Sequence, residues 1–308
     1  MAKARRMTSK PILDGSACAS LGGNLNGPSL IKVPDWVKGA RARYYLYFAH
    51  HEGRHIRLAF ADHLEGPWTV HASGALGLDQ TPFPSAAPDV PQPAWAVAMG
   101  VDGLYPHIAS PDVHVDHQGR RLVMWFHGLD HDGEQRSLRA TSTDGLDWRV
   151  EPNRFDPVYL RVFHYAGRHF ALAHGGQMFA FEHGGLRLVN GALFAPGFRH
   201  GAVRVVGDRM QVVWTAIGDA PERIYQTNVQ LRPDPSDWQA LETSELLRPE
   251  LAWEGADCPI VPSQIGTASP RENALRDPCY YEEGGRVYMV YSGSGEAALG
   301  IAERVDMK

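Results

Sequence analysis

The sequence predicts an all-β chain folded as one five-bladed β-propeller domain over residues 1–308. Three observations carry this expectation. Glycine (32) and proline (22) are plentiful and punctuate the chain with turn signals. The apolar runs are short, and none holds a sustained helical period. One pattern also recurs five times: a Gly or Arg turn, a hydrophobic strand, then a small or polar break. Repetition at this period with four strands per unit is the mark of a propeller. A β-sandwich with additional strands is the competing architecture.

The recurring strands are "RYYLYFAHH" (residues 43–51), "RRLVMWFHG" (120–128), "RHFALAHGG" (168–176), "RMQVVWTAIG" (209–218) and "RVYMVYSGSG" (286–295). Each is preceded by a short strand: "PSLIKV", "PDVHVD", "YLRVFHY", "GAVRVV" and "PCYYEE". Each is followed by a third: "HIRLAFA", "RSLRATS", "MFAFEH", "RIYQTN" and "ALGIAE". Fourth strands fit "PWTV", "DWRV", "LRLV" and "WQAL", three of which carry Trp68, Trp148 or Trp238. The fifth unit lacks one, and the stretch around "PILDGSA" is expected to complete it and close the ring. Residues 1–10, with the basic "MAKARR", are expected to form a flexible, solvated tail.

Composition narrows the partners. The formal charge is -5 and no basic stripe is present, which argues against nucleic acid. No apolar run approaches membrane-spanning length, and no apolar segment of signal type follows the basic start. Cys18, Cys258 and Cys279 are odd in number and match no zinc spacing, so reduced thiols in a cytoplasmic protein are expected. Oligomeric state is not legible.

A propeller sorts residues before any chemistry is invoked. The starts of the inner strands, the turns between second and third strands, and the interblade loops share one face, where ligands gather. His50 and His51 fall on such a turn, as do His174, Glu222 and Glu296. Inner-strand starts hold Asn26, Asp112, His114, Tyr159, Arg161, Arg199, His200, Arg276 and Asp277. Charged groups are unusual in packed strands and need partners or ligands there. The alternative for Arg276, Asp277, Asp112 and His114 is a set of buried pairs joining neighbouring blades. Two long loops, residues 82–95 and 247–278, are expected to act as a lid or packing contact and as an ordered pocket wall.

"NGPSLIKV" followed by "RYYLYFAHHEGRHIRLAFADHLEGPW" resembles the first blade of the five-bladed propeller glycosidases, glycoside hydrolase family 43 and its fructan-cleaving relatives. "SPDVHVD" resembles an inner strand of their second blade, and "LRDPCYYEEGGRVYMVYSG" has the same style. The resemblance spans roughly residues 24–303. It implies catalysis by carboxylates, with an Asp at the first blade start, an Asp at the second and a Glu at the third. The chain carries Asn26 at the first, Asp112 at the second, and Asp156 with no Glu near the third. The "RDP" of Arg276, Asp277 and Pro278 is a candidate replacement from elsewhere in the ring.

The leading reading is therefore a glycoside hydrolase acting on an oligosaccharide or glycoside, with Asp112, Asp277 and Glu222 as catalytic carboxylates and Glu222 as the general acid. Asn26, His50, His51, His107, His114, Arg161, His174, His200, Arg276 and Trp253 are candidate substrate contacts, and Trp95 and Tyr105 are further stacking candidates. A second reading is a uronate lyase, with a His or Tyr base and Arg161, Arg199 and Arg276 neutralising the carboxylate. A third is a non-catalytic carbohydrate-binding propeller. No cofactor is required, although a structural divalent cation such as calcium on the propeller axis would suit several His with Asp.

Overall fold

The structure, a computed structural model, describes residues 2–98, 103–268 and 271–306. Five antiparallel sheets follow one another along the chain. Blade one is Asn26–Lys32, Tyr44–Ala49, His55–Ala61 and Thr69–Val70, with Leu76–Gly77 pairing beside the last. Blade two is Ile108–Asp116, Arg121–Leu129, Gln135–Ser142 and Arg149–Val150. Blade three is Arg161–Tyr165, Arg168–Leu172, Met178–Glu182 and Gly185–Asn190. Blade four is Phe198–Val206, Arg209–Ala216, Ile224–Gln230 and Gln239–Leu247. Blade five is Arg276–Glu283, Arg286–Gly293 and Ala298–Asp306, and its outer strand is Ala2–Arg6. This is the five-bladed propeller that the repeat predicts.

The blades hold together through apolar faces. Five hydrophobic clusters fill the five interfaces of the ring. Tyr45, Tyr47 and Ile56 of blade one meet Met124, Phe126 and Leu138 of blade two. Leu46 and Phe48 meet Val290 and Ile301 of blade five. The remaining interfaces are packed in the same way, and that between blades two and three has the shortest set of buried members. Alternation along each strand is what supplies two buried faces per sheet. Trp68, Trp148 and Trp238 serve one repeated purpose. Each buried indole donates to a carbonyl in the turn before it, at Leu64, Gly145 and Arg232 respectively, over 3.2, 3.2 and 2.9 Å.

The start of the chain departs from expectation. Ala2–Arg6 is a strand paired along Ala302–Asp306, so it closes the ring instead of forming a flexible tail. Of the "PILDGSA" stretch, only Leu13–Asp14 joins the blade, pairing with Leu299 and Ala298. The reason lies in one side chain. Arg6 reaches the fully buried Glu254 with two bonds of 2.7 Å, and Glu250 with one of 2.6 Å. Glu254 also accepts from the Tyr291 hydroxyl at 2.7 Å.

The inner strands carry a second repeated feature. A β-bulge interrupts their pairing in blades one, two, four and five, between Asn26 and Ser29, Ala109 and Asp112, Phe198 and Gly201, and Arg276 and Cys279. Gly27, Ser110 and Asp277 sit inside these bulges with φ of 55°, 51° and 50°, and Tyr159 has φ of 58° just before the inner strand of blade three. Bulges re-aim side chains, and left-handed non-glycine residues cluster at functional sites.

Removing one partner of a buried ion pair strands the other. Arg6→Ala is therefore expected to cost about 3 kcal/mol in denaturant unfolding. A change within about 0.5 kcal/mol, the range of a surface substitution, would return Ala2–Arg6 to the status of a dispensable tail.

Candidate active site at the funnel mouth

All five blades contribute to the mouth. Blade one supplies His51 from the turn after Tyr44–Ala49. Blade two supplies His107 just before its inner strand and His127 near the end of Arg121–Leu129. Blade three supplies Tyr159 and His174, blade four Arg199 and His200, and blade five Arg276, Asp277 and Glu296. The rings form a continuous arc. Tyr105 lies 6.4 Å from His51 and 4.9 Å from His107, centroid to centroid. His107 meets His127 edge-on at 5.7 Å, and His127 lies against Tyr159 at 4.2 Å. Tyr159 then contacts His200 at 4.1 Å and His174 at 5.6 Å.

Two carboxylates stand in this arc, each with an imidazole. Asp277 Oδ1 is in direct contact with His200 Nδ1, and its Oδ2 accepts from the Gly27 amide at 3.3 Å. Glu296 Oε2 accepts from Asn24 at 2.6 Å and faces His51 Nδ1 at 3.5 Å. Burial alone would raise both acids. His200 outweighs it at Asp277, and His51 with Arg276 and Asn24 outweighs it at Glu296, so both are held below their ordinary values. His51 gains in return: burial works against its charge, but Glu296 raises its pKa above the ordinary value.

The remaining imidazoles are kept neutral. Burial pulls His107 down to about 4 although its Nδ1 donates to the Tyr105 carbonyl at 2.9 Å. His174 falls to about 4 through burial, then through His200 and Arg199. His127 falls well below the ordinary value through burial and four neighbouring imidazoles, and neither of its ring nitrogens has a hydrogen-bond partner. Burial lifts the Tyr105 phenol to about 12 and Tyr159 further.

Several expected site residues lie elsewhere. Glu222 is fully buried and clamped. Arg199 grips it with bonds of 2.7 and 3.1 Å, and Arg276 adds a third of 3.0 Å. A carboxylate that accepts three charged bonds is an ion-pair hub, so the general-acid role expected for it fails. Its neighbour Arg223 pairs with Glu245 at 3.2 Å instead. Arg276 is itself structural: it also holds Glu272 at 2.6 Å and Glu296 at 3.4 Å. Asp112 lies further along its inner strand, bonded to His114 at 2.6 Å and the Val162 amide at 2.8 Å. Arg161 donates to the carbonyls of Pro111 and Gly201. Asp112, His114 and Arg161 line a separate well of about 240 Å³ with Ser29, Cys279 and Tyr280, and none of the partners named here belongs to the mouth.

Asn26 is buried behind Glu296, donating to it at 3.4 Å. His50 shapes its turn, accepting from the Glu52 amide at 3.1 Å. Trp253 is not a sugar platform. Its ring stacks on Tyr291 at 5.9 Å, and Gly293 and Gly300 leave it the room, since a Cβ at Gly300 would fall 2.3 Å from the indole. Trp95 bonds Glu134 at 2.9 Å. The loop of residues 247–278 does form a wall, because Gln264 and Gly266 carbonyls accept from Arg199 and Arg276. Among the described residues, no group of three or more His, Cys, Asp or Glu is arranged to hold a metal ion. Among the described residues, no helix is long and apolar enough to cross a membrane.

His127, Tyr105 and Glu296 gain most in importance over the sequence reading. For His127 a signal exists: "FAHH", "WFHG" and "LAHG" end the second strands of blades one to three alike.

The arrangement is that of a five-bladed propeller, the fold of the family 43 glycosidases. A family 43 β-xylosidase/α-arabinofuranosidase from a compost microbial metagenome superposes with a TM-score of 0.61 and 11% identity, covering 97% of this chain and 94% of that one. A family 43 enzyme from Xanthomonas citri gives 0.61 and 11%, over 97% and 90%. An N-acetylgalactosamine deacetylase from F. plautii gives 0.59 and 13%, over 97% and 95%. No family model matches the sequence. The chain belongs to the family of the "Uncharacterized protein R118" of Acanthamoeba polyphaga mimivirus, with which it shares 31% identity over 303 residues, 90% of this chain and 82% of that protein.

Two outcomes are expected. His107 and His174 have folded-state pKa values below the ordinary 6.5, so the stability they allow is complete above pH 6.5 and is lost as pH falls toward about 4. The depressed carboxylates act in the same direction at lower pH. Denaturant titrations at pH 7 and 4.5 should show a loss that His107→Gln reduces by about 2 kcal/mol; an unchanged pH slope in that variant counts against a buried neutral His107. Glu222→Gln should destabilise by about 3 kcal/mol by leaving Arg199 without a carboxylate partner and removing one of the three that Arg276 holds, and a fully stable variant would contradict the clamp.

Proposed function

We propose that this protein is a carbohydrate-active enzyme that hydrolyses a glycosidic bond at the funnel mouth. One observation carries the reading: two buried carboxylates, Asp277 and Glu296, each faced by an imidazole, stand beside an arc of aromatic rings. In this reading Asp277, held ionised by His200, takes a proton from water as the water attacks the anomeric carbon. His51, kept protonated by Glu296, gives a proton to the departing oxygen. Tyr105 and Tyr159, whose phenols stay protonated, offer ring faces and hydroxyl donors to the sugar.

A second reading is hydrolysis of an acyl group on a sugar, as the name of the F. plautii neighbour describes for that protein. The His200–Asp277 contact favours it, since such a pair has the make-up of a base for water attack on a carbonyl. The uronate lyase reading loses support, because Arg161, Arg199 and Arg276 are all spent on carboxylates and carbonyls.

A panel of aryl glycosides, N-acetylated sugars and uronate oligosaccharides separates these chemistries. New reducing ends, released acetate and unsaturated product would be followed together. Reducing ends that fall at least about 100-fold in Asp277→Asn and His51→Gln, within the range of a general acid or base, are the expected result. Acetate alone would select the second reading, and unsaturated product would revive elimination. Full activity in Asp277→Asn would sink the assignment. Sugar binding with no turnover would mark a binding propeller.

A further inference from the structure

We infer that the mouth excludes anionic sugars and favours one bearing a protonated amine. This rests on the carbohydrate reading and names the substrate class within it. The charge balance of the mouth is the starting point. Four carboxylates surround its base: Asp277, Glu296, Glu272 and Glu222. Two guanidinium groups face them, and both are consumed. Arg199 is held by Glu222 and the Gln264 carbonyl, Arg276 by Glu222, Glu272 and Glu296.

Among the described residues, the other groups at the mouth able to carry positive charge are imidazoles, and His200 and His51 each already face a carboxylate, Asp277 and Glu296. His107, His127 and His174 are neutral because they are buried. Glu296 raises the pKa of His51 and is matched by it. The nearest cations on the flanking loops, Arg54 and Arg271, are exposed and bonded to the Ser85 carbonyl and to Asp257. A uronate carboxylate entering here meets Asp277 and Glu296 with no free counter-charge, in a site where water screens poorly. An ammonium group in the same place gains two acceptors.

The residues the uronate would need are present in the sequence but turned inward. Arg276 is completely buried and Arg199 is 3% exposed. Each would have to leave a carboxylate it already holds, Glu222 for Arg199 and Glu222, Glu272 and Glu296 for Arg276. The discrimination therefore comes from ion pairs formed before any ligand arrives, and specificity of this kind is a penalty against the wrong charge.

The test is calorimetric binding to the wild-type protein at low salt. The ligands are matched sets in the gluco and galacto series: the neutral methyl hexoside, its uronate, and its 2-amino-2-deoxy form. The expected order is amino sugar tightest, neutral sugar intermediate and uronate weakest, with about tenfold between the extremes at the least. Raising ionic strength should narrow the gap. Equal affinities, or a uronate that binds as tightly as the amine, would overturn the charge preference while leaving the carbohydrate reading intact. Absence of binding by every member would overturn both.

Discussion

The Arg276 guanidinium is the interaction on which the rest of the site depends. It is fully buried, and it joins three parts of the chain that are distant in sequence. Glu222 comes from the turn of blade four, Glu272 from the loop before blade five, and Glu296 from the turn of blade five. Burying so many charges is costly unless each finds partners, and breaking one pair strands the others. The cluster is therefore all-or-none. It also determines where Asp277 stands, because Asp277 is the next residue and is lifted toward the axis by the bulge that Arg276 anchors.

What was legible in the sequence follows from distance along the chain. Strand alternation and turn residues are local, so the blades could be read in order. Ala2–Arg6 escaped because "AKARR" places two alanines and an arginine on its inner face, and its charges suggest solvent. Its strand identity depends on Glu254, which lies 248 residues away. The inner-strand starts were readable as unusual charges. Their pairing was not: Glu222 looks like a free acid beside Arg223 until Arg199 and Arg276 are seen to hold it from 23 and 54 residues away. His127 was hidden by its setting, the end of an apolar strand, although the same residue type ends the second strands of blades one and three.

Burial sorts the titratable groups of the mouth into two kinds. Imidazoles without a carboxylate partner, His107, His127 and His174, lose their charge to desolvation. His51, placed against Glu296, has its pKa raised. One residue type thus supplies both neutral walls and a charged donor, with the difference set by a single neighbouring carboxylate. The phenols of Tyr105 and Tyr159 stay protonated for the same reason that the three imidazoles stay neutral.

The ring geometry accounts for the displaced carboxylate. Resemblance to the propeller glycosidases implies an acid at the start of blade one, where this chain has Asn26 and Gly27. A side chain at Gly27 is excluded on steric grounds, because its Cβ would stand 2.9 Å from the Ser110 Cα and its φ is 55°. The axis nevertheless receives a carboxylate next to that position. Asp277 occupies the corresponding bulge in blade five, with φ of 50°, and accepts the Gly27 amide. Four of the five blades carry a bulge at this place in their inner strands, so an acid absent from one start can be supplied from a neighbouring blade. That transfer changes which groups back the acid. In blade five it has His200 beside it and the Gly27 amide bonded to it, and both favour its ionised form.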